Sequence, residues 1–150
     1  MKLRTGDELI GCDIVPQNYD ADLLVVTSDG FGKRTKLSEF RGQNRGGIGL
    51  IATKFKTNES RLVALTIVAE NDEIMLVTAN GIVTRIKASD ISQQGRPATG
   101  VRAQNLVNND TVVSVNKIIT PEEEDSIVEK VAPKTEDATS EVTAEQTKLI

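Results

Sequence analysis

The amino-acid sequence predicts an all-β protein built as propeller-like blades. Three observations point there: a gapless internal repeat, short β-branched runs broken at Asp-Gly and Asn-Gly, and almost no helical periodicity. Thr27, Gly30, Arg34, Ser38, Gln43, Arg45 and Gly49 match Thr78, Gly81, Arg85, Ser89, Gln94, Arg96 and Gly100, every pair 51 positions apart. A period of about 50 residues holding several short strands is the signature of a bladed array, whose units bury their faces against neighbours. A pair of unrelated hairpins would not keep that offset.

Taken in order, Glu8 to Val15 reads as a strand after the turn signal Thr5-Gly6-Asp7, and Pro16 to Asp20 as a loop holding the only tyrosine, Tyr19. Leu23 to Thr27 and Phe31 to Leu37 form a hairpin through Ser28-Asp29-Gly30, and Ile74 to Thr78 with Ile82 to Ile86 repeat it through Ala79-Asn80-Gly81. Leu62 to Leu65 and Val112 to Val115 are closing strands, and Leu9 to Cys12 is a third copy of that strand alone. Single helical turns are expected at Lys36 to Phe40 and Lys87 to Ile91. The division that follows is residues 1–15 as the end of a preceding blade, 16–68 and 69–119 as two four-stranded blades, and 120–150 as a disordered acidic tail. That tail is rich in Glu, Thr, Ser and Lys, has no aromatic residue, and has too little apolar surface to offset the entropy of ordering it.

Composition narrows the function. With no histidine and one cysteine, Cys12, the 150-residue chain excludes a His/Cys zinc site and histidine-based catalytic triads within it. The N-terminus has no apolar signal region, no run approaches the ~20 apolar residues of a membrane span, and a lone cysteine suits a reducing compartment, so a cytoplasmic location is expected. The carboxylate groups Glu70, Asp72, Glu73 and Asp7, Glu8, Asp13 fit solvated strand ends better than a metal site, and no cofactor is expected.

The net charge of −4 averages two unlike regions. Residues 119–150 carry nine acids and three lysines, whereas the other 118 carry 15 Lys or Arg and 13 Asp or Glu. Between Lys33 and Lys56 there are seven basic residues (Lys33, Arg34, Lys36, Arg41, Arg45, Lys54 and Lys56) and one acid, Glu39. The loop Gln43-Asn44-Arg45-Gly46-Gly47-Ile48-Gly49 closes the dense part. Its glycines serve either a tight turn or close backbone approach to a phosphate, and Arg45 and Arg96 suit blade-to-blade hydrogen bonding as readily as phosphate contact. A basic stripe on a near-neutral body fits polyanion binding.

The segment GFGKRTKLSEFRGQNRGGIG, followed by ENDEIMLVTANGIVTRIKASDISQQGRPATGVR, resembles the C-terminal DNA-wrapping domain of the bacterial DNA gyrase A subunit over Met1 to about Ile119. The corresponding domain of topoisomerase IV is the more divergent relative. The resemblance implies a β-pinwheel, about six four-stranded blades in a propeller-like ring. It also implies a basic rim that wraps duplex DNA for ATP-dependent negative supercoiling. In that role it would work with the rest of the gyrase A subunit, together with the gyrase B subunit, on nucleoid DNA. The family's gyrase A box reads Gln-x-Arg-Gly-Gly-x-Gly with extra basic residues. Here Gln43, Arg45, Gly46, Gly47 and Gly49 keep its frame, but Asn44 and Ile48 stand where the box is basic. The chain therefore looks like the last two blades. Tyr19 does not match the family's strand-cleaving motif, so no catalytic residue and no activity of the chain alone are expected.

The expected DNA contacts are Lys33, Arg34, Lys36, Arg41, Arg45, Lys54 and Lys56 on the first blade, and Arg85, Lys87, Arg96 and Arg102 on the second. The alternative is a propeller-type interaction module whose basic face binds an acidic protein, with Glu122 to Asp125 of the tail as an internal competitor.

Overall fold

The structure, a computed structural model, describes residues 3–15 and 20–119. The described residues up to Ile118 make up one compact unit. The tail, and Tyr19, lie outside the described residues. Seven strands are present among them: β1 (Asp22–Thr27), β2 (Phe31–Lys36), β3 (Leu62–Val68), β4 (Glu73–Thr78), β5 (Val83–Lys87), β6 (Val101–Arg102) and β7 (Val112–Ile118). The two helical turns expected from sequence are 3-10 turns at Leu37–Glu39 and Ala88–Asp90.

All strand pairing between these elements is antiparallel. Both hairpins reverse at a glycine of positive φ, Gly30 (79°) and Gly81 (81°), as the Asp-Gly and Asn-Gly signals require. β1 is central in the order β3-β1-β2-β6, and β4 is central in β5-β4-β7. Central placement explains their composition. All six residues of β1 are buried, and β4 alternates buried with half-buried residues. Leu24 and Val26 of β1, Ala64 and Val68 of β3, Ile74 and Leu76 of β4, and Val112 of β7 form one core together with Ala88 and Ile91. Each large aliphatic side chain there contributes about 1.5–3 kcal/mol by burial. That core joins the two blades, so neither is independent of the other.

The structure corrects two expectations of architecture. The repeat is not the sheet: β6 lies within the second repeat but hydrogen-bonds to β2 of the first, Phe31 facing Arg102 and Gly32 facing Val101. The first blade therefore has four strands and the second three. The physical reason is the crossover segment after Ala88–Asp90. It runs along β2, with the Arg34 N–H donating to Ser92 O (3.1 Å) and the Gln94 N–H to Arg34 O (2.8 Å), and so delivers Val101 to the neighbouring edge. Gly100 permits the approach: its φ is +98°, and a Cβ there would stand 2.5 Å from the Gly32 carbonyl oxygen.

The second correction concerns Glu8 to Val15, which forms no strand and is exposed throughout. A strand needs a ladder partner, and no described strand pairs with this segment. It is held instead by Asp13, whose carboxylate accepts from the Ile67 N–H (3.0 Å) and Thr66 hydroxyl (3.3 Å).

Candidate functional site

The cations fall into three structural groups. Lys33 and Arg34, the first two of the expected contacts, are inside the protein, 0% and 8% exposed. Lys33 Nζ donates to the carbonyls of Gly95 (2.7 Å) and Arg96 (2.6 Å) on the crossover segment. Burial pushes its pKa below the ordinary lysine value, while Glu39 opposes that shift. Arg34 donates through Nε to Ile91 O (2.9 Å) and through Nη1 to Asp22 (2.8 Å), an ion pair also reached by Gln93 Nε2 (3.0 Å). Lys33 and the Nε of Arg34 hold one blade to the next, while Arg34 Nη1 pairs with Asp22 inside the first blade. They are interblade latches, and their expected surface role is corrected on that ground.

The second group is tethered at the surface. Arg85 pairs with Glu73 across the β4–β5 hairpin. It occupies the place of Arg34 in the repeat, and Glu73 that of Asp22, so the pair is the latch motif left exposed. Arg96 lies 5.9 Å from the Phe40 ring centroid, and its backbone N–H donates to Glu39 (3.3 Å). Lys56 and Arg102, from different repeats, share one aromatic platform: Lys56 Nζ is 4.4 Å and the Arg102 guanidinium 5.4 Å from the Phe31 centroid. Two like charges gathered on one ring make a local positive focus, and each cation–π contact contributes about 0.5–1 kcal/mol at an exposed site.

The third group is Lys36, Arg41, Arg45, Lys54 and Lys87. All five are exposed, and no ion pair among the described residues engages them. Arg41 and Arg45 sit on the segment after the first 3-10 turn, where Gly46 and Gly49 have φ of +79° and +88°. Lys54 is set beside the second repeat by its N–H bond to Ala98 O (3.3 Å). Asp29 anchors the end of that same segment. Burial would raise its pKa, but hydrogen bonds from Thr27 and Ser60, with Lys56 nearby, hold it below the ordinary aspartate value. The Ser60 hydroxyl to Asp29 distance is 2.8 Å.

Sequence reasoning missed Phe31 and Phe40 as supports for cations. The signal was present: the repeat has Ile82 and Ile91 at the corresponding places, so the aromatic rings belong to the first copy only. Two of the clustered carboxylates, Asp72 and Asp7, serve turns. Asp72 accepts from the Ala69 N–H (2.7 Å) and pairs with Lys117 (2.9 Å), and Asp7 accepts from the Arg4 N–H (2.8 Å).

Phe31→Leu keeps apolar volume but removes the ring. The expected result is an unchanged fold by circular dichroism and a two- to fivefold weaker hold on a polyanion, about 0.5–1 kcal/mol. The check is a heparin or DNA titration beside Phe31→Tyr, which should bind like the parent.

The family model for the DNA gyrase C-terminal domain, beta-propeller, matches residues 21–69 and again 72–118. The chain belongs to this family. The DNA gyrase A subunit of Synechocystis sp. is 36% identical over 159 aligned positions, covering 86% of this chain and 18% of the relative. Its Staphylococcus epidermidis counterpart is 38% identical over 118 positions, covering 79% and 13%. Among solved structures, a DNA gyrase A C-terminal domain superposes with a TM-score of 0.61 at 34% identity, covering 67% of this chain and 34% of that one. The C-terminal domain of a DNA topoisomerase IV gives 0.63 at 29%, covering 71% and 32%. Each of the two model matches spans one copy of the sequence repeat. The chain spans under a fifth of the length of these gyrase relatives and about a third of the solved domains.

Proposed function

We propose that this gyrase-family pinwheel segment binds duplex DNA through phosphates, without reading sequence, and bends it along its cationic rim. The observation that carries this reading is the third group: five exposed cations, with Lys56 and Arg102 focused on Phe31, against a fold that withdraws only Lys33 and Arg34. Exposed cations without carboxylate partners are the groups that displace condensed counterions from DNA. No element of the described fold presents a long helix or strand ribbon for a major groove, which favours backbone contact over base readout.

Within a type II topoisomerase, such a segment would hold a curved DNA arm for the strand-passage machinery. Bending a short site costs about 1–6 kcal/mol, which the phosphate contacts must offset. The rest of the gyrase A subunit, together with the gyrase B subunit, would supply cleavage and ATP hydrolysis in supporting negative supercoiling. This segment contributes binding and no bond-breaking step.

The test is affinity for a mixed-sequence duplex of about 40 base pairs across salt concentration. A log–log slope near −0.9 per contact, totalling about five to seven contacts, is the expected result. A folded chain with no salt-dependent binding would overturn the reading.

A further inference from the structure

One set of carboxylates stands apart from the basic rim and from the acidic clusters at the strand ends. A cavity of about 220 Å³ lies where the two repeats meet, between the first hairpin turn and the loops that precede β3 and β7. Asp29, Glu59 and Asp110 line it, and the rest of its lining is serine, threonine and one leucine. No basic residue lines it among the described residues. Glu59 and Asp110 hold the same place in the repeat, 51 positions apart. Both walls belong to the described repeats, so the cavity does not depend on a further blade.

Asp110 is the unusual wall. It is 6% exposed, and its Oδ1 accepts from the N–H groups of Asn80 (3.0 Å) and Thr111 (2.8 Å). Its Oδ2 is also buried, and no hydrogen bond of good geometry reaches it among the described residues. Burial would raise the pKa, but the nearby Thr78 hydroxyl and the surrounding backbone N–H groups hold it below the ordinary aspartate value. A buried carboxylate oxygen without a donor is rare in a folded protein and marks the place of a water or an ion. Asp29, by contrast, has both oxygens engaged, by the Thr27 and Ser60 hydroxyls. Lys56, whose charge reaches Asp29, is held over the Phe31 ring. A water would supply the missing hydrogen bond and leave the three charges unbalanced, whereas a cation answers both.

We propose that this cavity takes a hydrated divalent cation of the magnesium class, held by Asp110 and Glu59, which braces the seam between the two repeats. The donor set selects the class: carboxylate and hydroxyl oxygens without nitrogen or sulfur suit a hard cation. The cavity size sets the hydration. At ~30 Å³ per water, 220 Å³ has room for about seven. Magnesium gives up its waters reluctantly and is commonly held through one or two carboxylates. No group of three acidic, histidine or cysteine side chains among the described residues could cage an ion directly, so the ion keeps most of its water. Glu59 comes from the first repeat and Asp110 from the second, so binding stabilises their docked arrangement by mass action.

The test uses the full chain and magnesium chloride, exchanged against sodium chloride at constant ionic strength, with thermal melts followed by circular dichroism. The parent Tm should rise by about 5–10 °C when the ion stands at about 20 times its Kd. Asp110→Asn keeps an acceptor for the Asn80 and Thr111 N–H groups and should lose most of that rise. Glu59→Gln, at an exposed position, should lose part of it. Manganese(II), added at a small fraction of the protein concentration, locates the site by NMR. The amide signals of Asp29, Ser60 and Thr111 should broaden before those of the acidic residues 122–125. A parent Tm indifferent to magnesium, a rise that survives both substitutions, or broadening confined to residues 122–125 overturns the proposal. Should Asp110→Asn fail to fold, Glu59→Gln and the manganese map are read alone, with the same expected direction.

Discussion

Replacing Lys33 by Met lowers stability by about 3 kcal/mol while leaving DNA affinity unchanged. The side chain is fully buried, and its ammonium bridges two crossover carbonyls at 2.7 and 2.6 Å. Hydrogen bonds to a charged group contribute about 1.5–3 kcal/mol each, and relief from burying the charge offsets part of the loss. For a unit of this size the shift is on the order of 10–20 °C in Tm. Urea melts give the stability, and a salt titration of the folded variant gives the affinity.

The pH dependence follows from the lowered pKa of Lys33. The native state then binds fewer protons at this site than the unfolded chain does, over the range just below 10.5. Stability relative to Lys33→Met should therefore rise as pH climbs toward 10.5. A variant with parental stability but a shallower salt slope would place Lys33 on the DNA instead.

The second large effect belongs to the surface. Lys36→Glu/Arg41→Glu/Arg45→Glu removes three exposed cations that no ion pair among the described residues engages. Each phosphate contact adds about 0.9 to the magnitude of the log–log salt slope, so three lost contacts reduce it by about 2.7. At ~0.1 M salt the same relation gives a loss on the order of 10²–10³ in affinity, equal across DNA sequences. The melting temperature should move little, because exposed charges contribute weakly to stability. A loss confined to one DNA sequence would refute nonspecific phosphate binding.

The contrast between these variants shows where sequence reasoning reached its limit. Lys33 and Lys36 lie three residues apart in the same basic run, and composition treats them alike. Gly32 to Thr35 are all buried, with the Lys33 ammonium taken up by carbonyls of a segment roughly 60 residues away, whereas Lys36 ends the strand exposed. Only that covering turns a candidate phosphate contact into a buried latch. Arg34 and Arg85 match in the repeat, yet one is buried with Asp22 and the other exposed with Glu73, because only β2 is covered by a crossover.

What the sequence determined by itself was local and periodic: the gapless repeat, both hairpins, both 3-10 turns, the all-β class and the family resemblance. Each rests on short-range chemistry, namely turn glycines, β-branched runs and a fixed offset. What the tertiary structure decided was which strand completes which sheet and which cations face solvent. Those depend on the crossover at Val101 and on the blade-to-blade core, contacts between residues far apart in the chain that no local pattern encodes.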